Sequence, residues 1–429
     1  MKTDNRRKNY QGSHILSDDY SAETDTWKSG LNNNVLVFGP SGAGKTRHYV
    51  KPNILHSHES MIISDTKGSL FAELAPDLKK SGYEVLNINF TNLAGGVGYN
   101  PLDYIRYDEE KEHYSEKDIL TISACLVNNV SERDPFWDLA ARQYISCLIS
   151  YVLEALPVEE HTLETVVKLL SKIVSDDFAI LMEELECLQP ECTAALKYRA
   201  IKESEKADRM VSSIVGIAST NMETLVFDDA LDLYKREGRI DFKSIGKKKT
   251  ALFLTISDTD RSLDKLAHIF ITQALRALCQ SADEDYDDHM LPVPVRFYLD
   301  DFAANLYIPD FDKIISVIRS REISVSVILQ SITQLESLYG NACAKTIINN
   351  CDRQLYLGGQ DPDTGNYIAI RMNKPLNRIM DMPLDSACLL IRGQKPYFTR
   401  KYDPDKEGVR KRTASVKTGR HKPSLEYEL

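Results

Sequence analysis

Short apolar runs separated by helical stretches occupy two parts of the chain. In the first part the runs lie at residues 35–39, 61–65 and 85–90. In the second part they lie at residues 251–256, 295–299, 325–329, 354–359 and 388–392. Strands that alternate with helices are typical of a parallel sheet covered by helices. The sequence therefore predicts an α/β fold with a mainly parallel sheet flanked by helices.

The stretch between these two parts, residues 106–245, has a different pattern. Strand-like runs disappear and helical periodicity takes over. Asp134 and Pro135 predict a helix start, with the aspartate as N-cap and the proline at the first helical position, and this helix should end before Pro157. One face of a further helix is indicated by Leu163, Val166, Val167, Leu170 and Val174. We therefore predict an all-α domain inserted into the α/β domain.

The two ends of the chain are polar. Residues 1–30 lack periodicity and predict an arm, whereas residues 406–424 are basic and predict a disordered tail. An acidic stretch at residues 283–288 is interpreted as a surface loop. The predicted domain plan is an arm over 1–30, an α/β domain in two parts over 31–105 and 246–402, an inserted all-α domain over 106–245, and a basic tail over 403–429.

Composition narrows the class of protein. The 53 Lys+Arg and 63 Asp+Glu leave a formal net charge of -10, which excludes a uniformly basic protein that coats nucleic acid. No apolar run approaches the roughly 20 residues that a membrane-spanning helix needs. The first 14 residues contain no apolar segment of the kind found in signal peptides. Eight scattered cysteines without a CxxC pair are interpreted as buried, reduced thiols of a cytoplasmic protein.

The strongest chemical motif is G-x-x-x-x-G-K-T at residues 39–46. It follows an apolar strand and opens a helical stretch, which is the context of a phosphate-binding P-loop rather than of a merely tight glycine-rich turn. Lys45 would reach the β- and γ-phosphates of ATP, and Thr46 would place its hydroxyl on Mg²⁺. The predicted nucleotide-binding residues are Gly39, Ser41, Gly42, Ala43, Gly44, Lys45 and Thr46.

Two carboxylates follow the apolar run at residues 295–299. Asp300 is placed to hold the Mg²⁺ shell, as a Walker-B aspartate does. Asp301 lies where many additional-strand P-loop ATPases keep a glutamate that polarises the attacking water. The alternative is a pair of acidic residues at a strand end without a catalytic role, and the P-loop in the same chain argues against it.

Three further side chains suit phosphoryl transfer. Arg319 and Arg321 lie between the Walker-B strand and the next strand, where an arginine could reach the γ-phosphate of a neighbouring subunit. Gln330 ends the following strand, where its amide could sense the γ-phosphate or orient water. Spacing alone favours a surface arginine and an ordinary strand-end glutamine.

Several segments recur together in one order. They are the P-loop followed by YVKPNI, then ISDTKGSL (63–70), GYNPLDYI (98–105), DPFW (134–137) and the block from residues 297 to 340. In this order they resemble the type IV coupling proteins of bacterial conjugation and secretion, the TraG/TraD-type ATPases of the FtsK/HerA group. The likeness is to the versions carried on conjugative elements of Gram-positive bacteria. It covers about residues 31 to 400, and residues 297–359 are its most specific part.

The resemblance implies a RecA-like P-loop NTPase core and a homo-hexamer that hydrolyses ATP between subunits. Such a ring recruits a relaxase–DNA complex and delivers it to the type IV secretion channel. By motif position, Lys45 and Thr46 match the phosphate and Mg²⁺ residues of the family, and Asp300 matches its Walker-B aspartate. Arg319 matches the trans-acting arginine and Gln330 the sensor glutamine. The catalytic residues predicted in this way are Lys45, Asp301, Arg319 and Gln330.

The chain departs from this family at two places. Asp301 replaces the usual glutamate and is one methylene shorter, so hydrolysis is expected to be measurable but modest. The family usually begins with membrane-spanning helices, and no segment here can span a membrane. Either the chain is a naturally soluble version, or it is a shortened one that docks on a membrane complex at the inner face of the cell membrane. Asp65 and Lys67 fall in the family's D-P-K-G-like segment, with Thr66 in place of the proline, and are weaker candidates for lining the nucleotide site.

Two functions follow from these residues. The main hypothesis is an ATPase that moves DNA, with single-stranded and non-specific contacts confined to local basic segments. The candidates are the run Lys247-Lys248-Lys249 and the tail residues Arg410, Lys411, Arg412, Lys417, Arg420 and Lys422. A solvated turn before a strand is the favoured alternative for the lysine run, and the tail could equally bind anionic lipid or be a solubilising end. The rival is a nucleotide-gated adaptor that binds ATP, recognises a relaxase or effector through its all-α domain, and turns over little. A metabolic kinase is a distant third, because the sequence shows no motif for binding a second substrate.

Overall fold

The computed structural model describes residues 12–91, 93, 95–128, 134–204, 208–302 and 306–406. Its strands, in chain order, are β1 (Ser13–Ile15), β2 (Ser21–Glu23), β3 (Val35–Phe38), β4 (Ser60–Asp65), β5 (Glu84–Asn89), β6 (Tyr107–Asp108), β7 (His113–Tyr114), β8 (Thr250–Thr255), β9 (Val295–Leu299), β10 (Ile323–Leu329), β11 (Arg353–Tyr356), β12 (Ser386–Ile391) and β13 (Tyr397–Arg400). Every strand predicted from the apolar runs is present. Strand β13 was not predicted, because its sequence, YFTR, ends in two polar residues and forms no apolar run.

A nine-stranded sheet forms the α/β core. Its strand order is β13-β12-β11-β3-β10-β9-β4-β8-β5. The strands from β11 to β5 run parallel, and β12 and β13 add to one edge in antiparallel pairing. Both faces are covered, because Leu36 and Phe38 pack into one buried cluster and Val35 and Val37 into the other. Burial on both faces explains why these strands appear as continuous apolar runs, and the predicted α/β class is confirmed.

The helices follow the strands closely in the α/β part and dominate the middle of the chain. They are α1 (Thr26–Ser29), α2 (Lys51–Leu55), α3 (Ser69–Lys80), α4 (Glu116–Leu126), α5 (Phe136–Ala155), α6 (Leu163–Leu170), α7 (Asp176–Leu188), α8 (Thr193–Ser204), α9 (Asp208–Met222), α10 (Asp228–Lys235), α11 (Phe242–Ile245), α12 (Asp264–Glu284), α13 (Phe311–Val317), α14 (Ile332–Asn349), α15 (Pro362–Met372) and α16 (Leu376–Met380).

Helices α4 to α11 lie between strands β5 and β8, and α4, α6, α8 and α9 pack against the long helix α5. The predicted start of α5 was wrong by one residue, because Pro135 is the N-cap and the carboxylate of Asp134 instead accepts from Trp137 Nε1 at 2.9 Å. Helix α6 ends at Leu170, so Val174 lies beyond it and is exposed. The helical part also contains the short hairpin β6–β7, which the sequence pattern did not predict. The exact domain boundaries stay a prediction.

Residues 12–30 form a small folded unit rather than the predicted free arm. Strands β1 and β2 pair as an antiparallel hairpin that leads into α1. Asn53 of α2 holds the hairpin, because its Oδ1 accepts from Ile15 N at 2.7 Å and its Nδ2 donates to Ile15 O at 2.8 Å. Three-residue strands are too short to show alternation, so this unit depends on contacts made with distant segments. Residues 1–11 lie outside the described residues.

Two smaller expectations need correction. Asp283 and Glu284 belong to the end of α12, so only the later part of the predicted acidic loop at 283–288 lies outside a helix. The thiols are free, but Cys187 is exposed, so the interpretation of the cysteines as buried holds for only some of them. In the described part of the chain, none of the helices has the length and apolar character needed to cross a bilayer.

Candidate nucleotide-binding site

The predicted site residues follow neighbouring parallel strands at their carboxyl ends. The P-loop follows β3, Gln330 follows β10, and Asp300 follows β9, which is the order of these strands in the sheet. Gly39 N donates to Leu329 O at 3.1 Å, and Ser64 Oγ donates to Asp300 O at 3.1 Å, so the strand ends are joined by hydrogen bonds. Ligands of open α/β sheets bind at this edge. The structure therefore brings Gly39–Thr46, Asp300 and Gln330 together.

The P-loop has the backbone geometry of an anion-binding turn. Gly42 and Gly44 have φ values of 80° and 83°, in the left-handed region that side chains other than glycine rarely adopt. Gly44 is constrained twice, since a Cβ there would lie 2.2 Å from Cδ2 of His48. The loop continues into a π-helical turn, Thr46–Val50, and then into α2. Successive N–H groups in such a turn form a concavity for phosphates.

Lys45 lies across this loop and is buried. Its Nζ donates to Gly39 O at 2.8 Å and to Pro40 O at 3.3 Å. The same ammonium lies 3.6 Å from Oδ1 of Asp301. The carbonyls and the carboxylate thus occupy the donors of Lys45, which would turn to phosphate oxygens when a nucleotide is bound.

Thr46 and Asp300 form an oxygen pair suited to a divalent cation. Thr46 Oγ1 donates to Asp300 Oδ2 at 3.0 Å. Burial and, secondarily, the neighbouring Asp301 carboxylate raise the pKa of Asp300 to about 6, against the opposing effects of Thr46 and Lys45. A hydroxyl and a carboxylate oxygen side by side beside a phosphate loop match the ligands that Mg²⁺ takes in such sites.

Asp301 has the features of a strained and incompletely satisfied side chain. Its φ of 48° is left-handed, and its N–H donates to Asp300 Oδ1 at 3.1 Å. Its Oδ1 is buried and accepts no hydrogen bond from any described residue, although the ammonium of Lys45 lies 3.6 Å from it. A buried carboxylate oxygen without a donor next to a phosphate loop could take a hydrogen bond from water. This arrangement fits the predicted role of polarising water, which stays a prediction.

Gln330 follows the strand next to the P-loop strand and is half-buried. Its backbone N–H donates to Gln334 Oε1 at 3.3 Å. The position is that of a residue able to report on a bound γ-phosphate. Its sensing role remains a prediction.

Arg319 lies far from the P-loop of its own chain. It belongs to the 3₁₀ turn Ile318–Arg321, which precedes β10 and is therefore at the amino edge of the sheet. Its Nη2 donates to Thr26 O at 2.9 Å, in the N-terminal unit. The nearby Arg321 is held by Asp283 through two hydrogen bonds of 2.8 Å. Arg319 could therefore meet a nucleotide only in another copy of the chain.

The weaker candidates have structural partners. The Asp65 carboxylate accepts from Phe71 N at 2.9 Å and so holds the start of α3, and Lys67 is exposed and pairs with Asp258 at 3.5 Å. In the run Lys247-Lys248-Lys249, the last ammonium lies 4.1 Å above the ring of Tyr83, and burial lowers the pKa of this lysine. The basic tail residues Arg410, Lys411, Arg412, Lys417, Arg420 and Lys422 lie outside the described residues.

Residues 401 and 402, which contact the P-loop and the turn after it, were not predicted. Lys401 Nζ donates to Ala43 O at 3.0 Å, and His48 Nδ1 lies 2.7 Å from Tyr402 O. No sequence signal could have revealed these contacts, because the two segments are about 350 residues apart and no motif links them.

Solved structures of other proteins share this fold. TrwBdeltaN70, a bacterial conjugative coupling protein in complex with sulphate, superposes with a TM-score of 0.68 at 14% identity, covering 92% of this chain and 91% of that one. VirB4 of Thermoanaerobacter pseudethanolicus superposes with a TM-score of 0.58 at 13% identity, covering 92% and 98%. At such identities the likeness shows the fold alone, a RecA-type P-loop fold.

Sequence comparison adds the relatives. The conjugal transfer protein TraG of Escherichia coli is 32% identical over 124 residues, which is 28% of this chain and 18% of that protein. VirD4 of Agrobacterium fabrum is 23% identical over 360 residues, which is 78% of this chain and 48% of that protein. The chain therefore spans less than half the length of either relative. A model of the family described as type IV secretory system conjugative DNA transfer matches residues 3–373. Because this match takes in both the P-loop edge of the sheet and the helical insert, the chain belongs to the type IV secretory system conjugative DNA transfer family of coupling proteins.

Proposed function

We propose that the chain is an ATP-hydrolysing coupling protein that recruits a relaxase–DNA or protein substrate and feeds it to a type IV secretion channel. The observation that carries this proposal is the contact of Thr46 with Asp300, beside Lys45 and Asp301. It joins a P-loop to a Walker-B carboxylate in a chain of the conjugative DNA transfer family. The partners are then a relaxase or relaxosome, components of the channel, and single-stranded DNA bound without sequence preference.

ATP and Mg²⁺ are the proposed cofactors. TrwB has been solved with the non-hydrolysable ATP analogue ADPNP and with ADP and Mg²⁺, which supports a nucleotide site in this fold. In this chain Gly39–Thr46 would hold the phosphates, and Thr46 and Asp300 would hold the metal. When bound, Mg²⁺ neutralises charge that develops on the phosphates during transfer. The hydrogen bond between Thr46 and Asp300 already holds the two oxygens close together.

The remaining side chains act on the water and on the phosphate charge. Lys45 would leave the carbonyls of the loop and turn to phosphate. Release of Lys45 frees Asp301 to accept a hydrogen bond from the attacking water and to orient it. Gln330, beside the loop, would report the state of the γ-phosphate. The side chain of Asp301 is one methylene shorter than that of glutamate, so the rate should be modest.

A homo-hexamer would bring Arg319 close to the nucleotide of a neighbouring copy. The place of Arg319 at the amino edge of the sheet supports a role toward that nucleotide, where the guanidinium would stabilise transition-state charge. To act there it must leave its hydrogen bond to Thr26 O. The assembly is proposed to work in the cytoplasm, at the inner face of the cell membrane, where the channel lies.

The rival function is a nucleotide-gated adaptor with little turnover. The specific observation in its favour is the pairing of Asp301 with Lys45, because a carboxylate held by the P-loop lysine is not free to orient water. In that case nucleotide binding, rather than hydrolysis, would control how the helical domain engages its substrate.

An ATPase assay at low salt, with and without single-stranded DNA, separates the two functions. We expect DNA to stimulate hydrolysis, Lys45→Ala to abolish it, and stimulation to weaken steeply as salt rises. Oligomeric state is read on the same sample by light scattering. Tight ATP binding without DNA-stimulated turnover would favour the adaptor, and a monomer under every condition would contradict the proposed role of Arg319.

A further inference from the structure

Residues 401–405, which follow β13, contact the P-loop and the turn after it. Lys401 Nζ donates to Ala43 O at 3.0 Å. His48, on the turn after the loop, has its Nδ1 2.7 Å from the carbonyl of Tyr402, so this nitrogen carries the proton. Arg47 Nη2 donates to Asp405 Oδ2 at 2.5 Å. Residues 401, 402 and 405 thus each contact the P-loop or the first turn after it.

The Lys401 contact is buried, unlike that of Arg47. Only 8% of Lys401 is exposed, whereas the side chains of Arg47 and Asp405 are mostly in solvent. The backbone N–H of Lys401 donates to Asp385 O at 2.8 Å, which fixes the segment at the sheet edge. A buried ammonium that donates to a carbonyl makes a charge-assisted hydrogen bond, which is stronger than a neutral one.

The carbonyl that Lys401 contacts belongs to the peptide unit between Ala43 and Gly44. The N–H of the same unit is the N–H of Gly44, one of the donors that a P-loop turns toward phosphate. A cation at the oxygen of an amide polarises the group and makes its N–H a better donor, because hydrogen bonds in a chain strengthen one another. Lys401 can therefore strengthen phosphate binding without touching the phosphate.

We propose that Lys401 is a positioning residue of the nucleotide site, which acts through the Ala43–Gly44 peptide to orient and polarise a phosphate-binding N–H. The inference rests on the proposed binding of ATP and extends that site to the segment that follows β13. His48 packs on the glycine of the same peptide unit. Its imidazole lies against Gly44, where a Cβ would come within 2.2 Å of Cδ2, and is itself fixed by Tyr402 O.

The test measures the affinity of the full chain for ADP with Mg²⁺ by calorimetry. Lys401→Met removes the charge and keeps the length of the side chain. We expect it to raise the Kd for ADP by roughly two- to tenfold, because polarisation of the peptide contributes a fraction of one N–H hydrogen bond to the phosphate. Lys401→Arg keeps the cation and should restore most of the affinity. Lys395→Met is the matched control, because Lys395 is an exposed lysine in the turn between β12 and β13.

A merely structural role would have a different signature. It would lower the melting temperature of the nucleotide-free protein, and Lys401→Gln, which keeps a donor, would then behave like Lys401→Arg. The proposal instead requires Lys401→Gln to bind ADP as weakly as Lys401→Met, because the charge is what polarises the peptide. Unchanged ADP affinity in Lys401→Met, or equal affinity in Lys401→Gln and Lys401→Arg, overturns it. Failure of the unsubstituted chain to bind ADP would overturn the proposed function itself.

Discussion

Asp300 and Asp301 are adjacent in sequence but their carboxylates have different surroundings. Asp300 is buried and accepts from the Thr46 hydroxyl, whereas Asp301 is partly exposed and lies by Lys45. The left-handed backbone at Asp301 tolerates aspartate better than a longer side chain. The two neighbours are thus suited to different tasks, one to hold a metal and the other to orient water.

Replacing Asp301 by glutamate tests whether the shorter side chain limits the rate. If the carboxylate is retracted from the water, Asp301→Glu should raise kcat for ATP by as much as about 10²-fold, since a misplacement near 1 Å costs about that much. Steady-state hydrolysis at saturating ATP is the measurement, and Asp301→Asn, which should lower kcat, is the control. An Asp301→Glu rate equal to or below that of the unsubstituted chain would show that the distance idea is wrong.

The raised pKa of Asp300 makes stability depend on pH. Its pKa of about 6 in the folded chain exceeds the usual 3.8, so the folded state binds the proton more tightly, and this stability is lost as pH rises from about 4 to 6. Asp300→Asn should therefore raise the free energy of unfolding at pH 7 by roughly 1–3 kcal/mol and bring little gain at pH 4. Urea denaturation of the nucleotide-free chain at both pH values measures this. An equal effect at the two pH values would contradict it.

At the scale of elements, the N-terminal hairpin is attached to the helix that follows the P-loop. Asn53 supplies two hydrogen bonds to Ile15, and Tyr49 OH lies 2.8 Å from His14 Nε2. Burial lowers the pKa of His14 well below its ordinary value, so this contact uses a neutral imidazole. The hairpin is therefore a part of the core and not an independent arm.

Asn53→Ala should destabilise the fold through the hairpin. It removes the partners of a buried N–H and a buried C=O of Ile15, and an unsatisfied buried polar group costs roughly 1–3 kcal/mol, so we expect a loss of about 2–4 kcal/mol in the free energy of unfolding. Chemical denaturation is the measurement. Asn366→Ala, an exposed site on α15, serves as the control and should change stability by less than about 0.5 kcal/mol. A small effect at Asn53 would mean that the hairpin adds little.

At the scale of the whole molecule, the P-loop lies at the carboxyl ends of the sheet strands, whereas Arg319 lies at their amino ends. A single chain therefore contains one half of each proposed composite site, and a ring of identical chains would complete every site from two copies. The P-loop edge of one copy would face the amino edge of the next. A ring assembled from two different variants can therefore test this arrangement.

Mixing two inactive variants tests the composite site. Lys45→Ala lacks the phosphate lysine and Arg319→Ala lacks the trans arginine, so each alone should show almost no DNA-stimulated hydrolysis. A mixed ring contains interfaces with both residues intact, and activity should reappear. Mixing Lys45→Ala with Arg321→Ala is the comparison, because Arg321 is held by Asp283 within its own chain and its variant should be active alone. No recovery in the first mixture would rule out a site shared between copies.

The parallel strands, the P-loop motif and the position of Asp300 could be predicted because each is marked by a local sequence pattern. Buried parallel strands are continuous apolar runs, and a P-loop is eight consecutive residues whose backbone does the binding. Asp300 follows a strand that the same pattern identifies. These features need no distant partner to be recognised. The α/β class was therefore predicted correctly, and the Gly39–Thr46 motif was found from the sequence alone, with its binding role still a prediction.

Tertiary structure decided the features that depend on residues far apart. The hairpin of residues 12–30 is held by Asn53, and its strands are too short to be recognised alone. Arg319 is near the P-loop motif in neither sequence nor space, and only the sheet topology places it at the opposite edge. Lys401 reaches Ala43 across the whole chain. The sequence by itself thus determined eight strands of the nine-stranded sheet and the P-loop motif. Packing decided which side chains contact that loop, because a contact between distant segments leaves no periodic pattern in either one.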